Sequence, residues 1–208
     1  MKKIGIVVVL LLAFAVGFVA MRPAEYRVER SLAIAAPANV VLAQISDFHK
    51  WPAWSPWADL DPNQKVTYDG TAGAPGSSMS WVGNDKVGEG KMALTAVTAD
   101  KVEMDLQFIK PFEDQAKVEL LTRLDGKGIV ATWAISGHYN FMGKAMSVFM
   151  SMDKTMGPDF ERGLAKLKGV AEEEQKKAEA AAVAAAAAAA ANPAPAEAPP
   201  AVAGAAKP

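Results

Sequence analysis

The chain has 208 residues, no cysteine and a formal net charge of −1. The absence of cysteine excludes disulfide bonds, thiolate-bound zinc or iron–sulfur clusters, a cysteine nucleophile and a lipid-modified cysteine anchor. The near-neutral charge argues against a general nucleic-acid-binding protein, so we expect no nucleic-acid partner.

The first predicted element is an apolar N-terminal helix. Lys2 and Lys3 precede an uncharged run over residues 4–21, which as a helix would be about 27 Å long at ~1.5 Å per residue and would cross a bilayer core. A cleaved secretory signal is the alternative, because Ala13-Phe14-Ala15 and Ala15-Val16-Gly17 offer small residues at the spacing of a cleavage site. The run continues beyond both sites, which favours an uncleaved signal anchor.

The charges beside this run bear on its orientation. Lys2 and Lys3 favour an N-terminus on the cytoplasmic side, whereas Arg22, Arg27 and Arg30 favour the opposite orientation. We give more weight to the lysines, since the arginines become part of a folded domain. The sequence therefore predicts a single-pass protein of the cytoplasmic membrane with its domain on the extracytoplasmic, or periplasmic, side.

Seven segments of the domain have the pattern of β-strands. The alternation is clearest over residues 102–108, where Val102, Met104, Leu106 and Phe108 share one face. Glycine, proline or aspartate stands at the junctions between segments. The predicted strands are Tyr26–Ile34, Lys65–Asp69, Ser78–Val82, Gly88–Thr98, Lys101–Ile109, Gln115–Leu124 and Gly128–Gly137.

Two short helical elements are predicted after the first strand. Pro37 opens a helix that carries apolar residues up to Phe48. Prolines 52 and 56 then permit only a turn or a helical stub. The stub contains tryptophans 51, 54 and 57, which could form a pocket lid or a membrane-facing surface. The alternative is that they plug one end of the fold.

A long amphipathic helix is predicted at the end of the domain. Its apolar side chains recur at steps of three or four residues, and Gly157-Pro158 is expected to kink or restart it. An antiparallel sheet has one face that needs covering. We therefore predict an α+β helix-grip fold: a curved seven-stranded antiparallel sheet around a long C-terminal helix. The apolar residues are Met142, Met146, Phe149, Met152, Met156, Phe160, Leu164 and Leu167.

The tail has a different composition, with alanine at 20 of its 38 residues, 171–208. Alanine favours a helix, which we expect to extend to Ala191 and to stop at Asn192-Pro193 before a disordered remainder. The predicted parts are thus an anchor (1–21), a domain (22–170) and this tail. A spacer or tether is one interpretation of the tail and the absence of any role is the other; no partner is indicated.

Five segments of the domain carry a resemblance to a known family. They are Ala36–Val41, Trp51–Trp57, Gly73–Gly76 with Trp81, Val87–Gly90 and Gly157–Leu164. Over about residues 26–170 the chain resembles the SRPBCC superfamily, which has the helix-grip fold of START domains and birch-pollen-allergen-like proteins, and in particular its polyketide cyclase/dehydrase-like branch. The resemblance implies a cavity between sheet and helix that holds a hydrophobic small molecule or lipid. We expect no cofactor.

The side chains expected around such a cavity are large, apolar and in part adaptable. Methionines on the last helix provide a soft lining, and aromatic residues of the sheet would face them. A completely filled core is the alternative interpretation of the same pattern. The predicted ligand-binding residues are Trp54, Trp57, Trp81, Met104, Leu106, Phe108, Trp133, Met146, Phe149, Met152 and Met156.

Candidates for catalysis are few. His49 has Asp47 and Asp59 as nearby carboxylates, and Glu89 stands between two glycines, where it would lie at a cavity mouth or in a bulge. No metal-binding motif is present, so we expect no metal site. The predicted function is a membrane-anchored binding protein for a hydrophobic small molecule or lipid. A cyclase/dehydratase-like enzyme and a non-ligand interaction module are the alternatives.

Overall fold

The computed structural model describes residues 2–126 and 128–191. Helix α1 comes first, followed by strand β1, helix α2 and a short 3-10 helix; six more strands and two helices complete the chain. In chain order the elements are α1 (Lys2–Ala20), β1 (Glu25–Ile34), α2 (Ala38–Ser46), the 3-10 helix (Phe48–Ala53), β2 (Lys65–Asp69), β3 (Ser78–Val82), β4 (Glu89–Val97), β5 (Lys101–Lys110), β6 (Asp114–Asp125), β7 (Gly128–His138), α3 (Phe141–Met146) and α4 (Met152–Ala191).

The seven strands form one antiparallel sheet in the order β1-β7-β6-β5-β4-β3-β2. Strands β2 to β7 are a meander, and β1 lies beside β7. The sheet confirms the predicted helix-grip class, and the strand bounds agree with the predicted ones to within one residue at each end. The agreement arises because the junctions contain glycine, proline and aspartate, which disfavour strands and favour turns.

Arg30 is the one charged residue on the otherwise apolar side of β1. Tyr26, Val28 and Ile34 on the same side of the strand are buried, so Arg30 also lies on the inner face. Its guanidinium binds Asp153 and Glu161 of α4, each at 2.8 Å. A Cβ atom at Gly157 would lie only 2.1 Å from the Arg30 Nη2 atom. The absence of a side chain at Gly157 therefore leaves room for the Arg30 guanidinium, whose ion pairs link β1 to α4.

The final helix differs from the prediction in one respect. Residues 142–167 do not form a single helix: α3 ends at Met146, and α4 begins at Met152 and runs through Pro158 without interruption. Pro158 lies in the second turn of α4, where its missing N–H removes only one hydrogen bond. The predicted restart of the helix at Gly157-Pro158 was therefore wrong.

The chain divides into two compact units between Gln175 and Lys176. The described part of the second unit, up to Ala191, is helical and its side chains are exposed, as predicted for an alanine-rich segment. The predicted stop at Asn192-Pro193 and the disordered remainder lie outside the described residues.

Helix α1 belongs to the first unit. Its span Lys3–Ala20 is long and apolar enough to cross a membrane, and none of that span is buried; it is the one such helix in the described part of the chain.

Candidate ligand-binding cavity

A cavity of about 290 Å³ lies between the inner face of the sheet, the 3-10 helix and α4. Strands β2 to β7 contribute the largest share of its wall, and α4 contributes Met156 and Phe160. Apolar and aromatic side chains dominate the lining, as is usual in sites for small molecules. The predicted ligand-binding residues that line it are Trp57, Trp81, Leu106, Phe108, Trp133 and Met156.

Trp133 lies at the centre of an aromatic cluster in this wall. Its ring stacks on Phe160 with a centroid separation of 4.5 Å. It meets Trp54 and Trp57 edge to face, at 5.4 and 5.7 Å. These are favourable aromatic geometries. The close approach of α4 depends on Gly163, because a Cβ atom there would lie 2.6 Å from the Trp133 ring.

The indole nitrogens distinguish the tryptophans from one another. Trp51 Nε1 donates to the Ile45 carbonyl at 2.7 Å, and Trp54 Nε1 donates to the Gln44 carbonyl at 3.2 Å. Trp133 Nε1 is buried and has no hydrogen-bond partner among the described residues. Buried indole N–H groups usually have a partner. Trp133 therefore carries one buried hydrogen-bond donor that no described residue uses.

The other predicted ligand-binding residues lie elsewhere. Trp54 and Met104 are fully buried in the filled part of the core, and Met152 packs against the core without lining the cavity. Met146 and Phe149 are exposed on α3 and on the segment after it. They do not line this cavity, because the chain leaves the helix between Met146 and Met152 and the apolar spacing does not continue on one helical face.

Several lining residues were not among those predicted for the site. They include Tyr68 of β2, Met79 of β3, and Met92 of β4. Alternation within these short strands puts Tyr68 on the same face as Val66, and Met79 on the same face as Trp81. That pattern was available in the sequence. Which part of the inner face borders a void, however, depends on the paths of α2 and α4.

The cavity reaches the surface at two loops. The lining includes Asp85 and Lys86 of the β3–β4 loop, Lys110 at the end of β5 and Pro111 after it, and all four are exposed. The loops approach closely at Gly88, which has a φ of 71° and where a Cβ atom would lie 2.3 Å from the Lys110 carbonyl oxygen. We call these four residues the rim. They supply the charges of a lining that is otherwise mainly apolar.

The candidate catalytic residues do not line the cavity. His49 Nδ1 lies 3.0 Å from the Asp47 carboxylate, and the imidazole stacks on Tyr68 at 4.1 Å. Burial, and secondarily the Asp47 carboxylate, raise the pKa of the Tyr68 phenol, so this lining residue is neutral near pH 7. Asp59 pairs with Lys166 rather than with His49.

Glu89 forms an ion pair with Lys110 at 2.7 Å. It lies at a register shift between β4 and β5, which agrees with the bulge interpretation. Among the described residues, no group of three or more His, Cys, Asp or Glu is placed to hold a metal ion.

A family model matches the sequence of the domain. Residues 25–172 match the model of the polyketide cyclase/dehydrase and lipid transport family. Because this match covers most of the chain, the protein belongs to that family. No curated protein sequence matched the chain.

Solved structures of distant proteins share the fold. The di-domain aromatase/cyclase StfQ of the steffimycin biosynthetic pathway aligns with a TM-score of 0.54 and 11% identity, over 73% of this chain and 52% of StfQ. A protein from Mesorhizobium loti aligns with a TM-score of 0.53 and 13% identity, over 71% of this chain and 98% of its own. A protein of unknown function from Staphylococcus aureus gives 0.52 and 12%, over 76% and 99%.

Proposed function

We propose that the protein is a membrane-anchored binding protein for a hydrophobic small molecule or lipid, which it holds in the cavity between the sheet and α4. The cavity itself is the observation that carries this proposal. Its volume of about 290 Å³ is close to the lower limit of ~300 Å³ for small-molecule sites. The lipid transport named in the family description supports the same chemistry.

The unpartnered donor narrows the ligand class. The Trp133 ring belongs to a wall that is otherwise mainly apolar, and its unpartnered Nε1 is buried beneath that wall. A ligand that displaces the side chains covering Nε1 and places an oxygen acceptor there gains one hydrogen bond in a site with few competing polar groups. The preferred ligand is therefore an apolar body that carries a carbonyl, carboxylate or similar oxygen.

Binding is favoured over the cyclase/dehydratase-like alternative by the position of the titratable groups. A general acid or base must come within hydrogen-bond reach of the reacting atoms. His49, Asp47 and Glu89 are absent from the lining. The His49 imidazole stacks on the lining residue Tyr68 without lining the cavity itself. The interaction-module alternative requires no ligand, and the experiments below separate it from binding.

The anchor is the second part of the proposal. Helix α1 has the length of a membrane span, and we propose that residues 4–21 hold the protein in the cytoplasmic membrane with residues 22–170 as an extracytoplasmic domain. Alkaline phosphatase and green fluorescent protein fused to the C-terminus would report the side. An active phosphatase with a dark fluorescent fusion is expected, and the reverse pattern would contradict this orientation.

Ligand occupancy can be measured on the whole protein. We expect organic extraction of the full chain, purified from membranes in mild detergent, to release an apolar compound in near-stoichiometric amount by mass spectrometry. Bulk membrane lipid alone, in the proportions of the membrane and displaced by washing in a second detergent, would contradict the proposal. It would favour the interaction module.

Replacement of Trp133 by phenylalanine is expected to weaken ligand binding by roughly 2- to 12-fold, the equivalent of one net hydrogen bond of about 0.5–1.5 kcal/mol. The ring that stacks on Phe160 is largely kept, whereas the donor is lost. Titration with a dansyl-labelled fatty acid measures the affinity. In the matched control Trp54→Phe, the lost donor serves the Gln44 carbonyl, so the affinity should stay constant. Equal effects of the two variants would contradict a role of Trp133 Nε1 in binding.

A further inference from the structure

An exposed apolar segment lies beside the end of α1. The segment Phe141–Met150, which comprises α3 and the residues after it, contains six large apolar side chains on the surface. Phe149 is 89% exposed and Met142 is 66% exposed, although phenylalanine and methionine are usually found inside proteins. Clustered exposure of this kind marks an interaction site. We call this set the apolar patch: Phe141, Met142, Met146, Val148, Phe149 and Met150.

The patch lies directly against the end of the anchor. The Lys144 ammonium donates to the Ala20 carbonyl at 3.2 Å, and the Arg22 guanidinium donates to the Ser147 carbonyl at 3.2 Å. If α1 spans a bilayer, Ala20 lies at its boundary, because the span ends there. Its direct contacts then place Lys144 and Ser147 at the same depth.

The charges within this segment suit a lipid surface. Lys144 and Arg22 make the hydrogen bonds that join this segment to the end of α1. Cationic groups at such a boundary meet lipid phosphates and snorkel from apolar surroundings. No carboxylate occurs between Phe141 and Met150. Apolar side chains with interspersed cations are typical of segments that lie in the membrane interface.

The sheet register puts the cavity rim and the apolar patch at the same end of the strands. Glu25, where β1 begins after the anchor, pairs with His138, where β7 ends before α3. Lys110 of the rim is the last residue of β5, at this same end of the strands. The turn that follows contains Phe112, which is 71% exposed. Tyr26 contacts residues next to both the rim and the patch. Its hydroxyl lies 3.5 Å from Asp114, which follows the turn after Lys110, and its ring lies 4.8 Å from that of Tyr139, which precedes α3.

We propose that the apolar patch lies in the bilayer interface beside α1 and so holds the rim of the cavity against the membrane. The occupant of the patch is the lipid surface itself, and an apolar ligand would pass between bilayer and cavity without crossing open water. This inference rests on the proposed anchoring of α1. It adds a fixed orientation of the domain. The strand ends at Lys110 and His138 face the lipid.

Single cysteines test this orientation cleanly, because the chain has none of its own. The full-length variants Met142→Cys and Phe149→Cys would be labelled with bimane and reconstituted into vesicles of phosphatidylcholine and phosphatidylglycerol. Leu124→Cys is the matched control. Leu124 is also apolar and 78% exposed, but it lies at the opposite end of the strands, near the β6–β7 turn. Phe14→Cys, in the middle of α1, reports on the anchor.

We expect labels at residues 142 and 149 to be quenched by nitroxide lipids several-fold more than the label at residue 124, and to be shielded from aqueous iodide. Iodide quenching at 142 and 149 equal to that at 124 would overturn the inference. If residue 14 is nevertheless in lipid, the anchoring stands and only the orientation fails. If residue 14 is also in water, both fail. Protection from both quenchers would mean that protein, such as a second copy, covers the patch, which also overturns the inference.

Discussion

Replacement of Leu106 by tryptophan is expected to lower ligand affinity by about two orders of magnitude, or ~2.8 kcal/mol, while the fold is retained. Leu106 is buried on the inner face of β5 and lines the cavity. A larger ring at this position extends into the void of about 290 Å³ rather than into packed atoms. The variant therefore removes the space for the ligand without the strain that usually accompanies overpacking.

A matched variant shows whether the void is real. Leu120 lies on the inner face of the neighbouring strand β6 and is fully buried, but it does not line the cavity. Leu120→Trp forces the same extra volume into filled core, so we expect it to destabilise the protein by about 1–3 kcal/mol.

The two variants would be compared by fatty-acid titration and by thermal unfolding in detergent. Equal destabilisation by both substitutions would mean that the site near Leu106 is filled, and undiminished binding by Leu106→Trp would contradict the cavity as the ligand site.

The second large effect is expected at Gly163 of α4. A Cβ atom there would lie 2.6 Å from the Trp133 ring and 3.1 Å from Pro56 Cδ, and both neighbours are rigid. We expect Gly163→Ala to cost about 1–3 kcal/mol of unfolding free energy, because α4 must move away from the sheet. This cost exceeds the gain of up to about 1 kcal/mol that alanine brings to a helix.

Gly169→Ala is the control on the same helix. A Cβ atom at this position would have nothing within 4 Å of it, so the helix gain of up to about 1 kcal/mol should appear alone. The two glycine variants are thus expected to shift the midpoint of thermal unfolding in opposite directions. A Gly163→Ala protein as stable as Gly169→Ala would contradict the close contact of α4 with Trp133.

The sheet could be predicted from the sequence because its signals are local. Alternation decides which face of a strand is buried, as in residues 102–108, and turn residues mark the ends. Arg30 shows the limit of this reasoning. Its parity placed it on the inner face, but its partners Asp153 and Glu161 are more than 120 positions away in the chain. Only the folded chain shows that Gly157 gives it room.

The candidate site could be predicted only in part for a related reason. Periodicity identifies buried faces, but a void and a filled core have the same pattern. Met104 and Leu106 are neighbours on one face of β5, yet only Leu106 lines the cavity. Met146 and Phe149 continue the apolar spacing of α4, although they precede it: α3 ends at Met146 and α4 begins only at Met152. Their exposure instead identifies a surface that periodicity alone assigned to the core.

The most direct test of the central claim is an experimental structure of the full chain purified from membranes in mild detergent. We expect continuous density for an apolar molecule in the cavity, in contact with Phe108, Leu106 and Met156, with an oxygen within hydrogen-bond distance of Trp133 Nε1. A cavity closed by rearranged side chains, or a ligand bound at another place with the cavity unoccupied, would contradict the account.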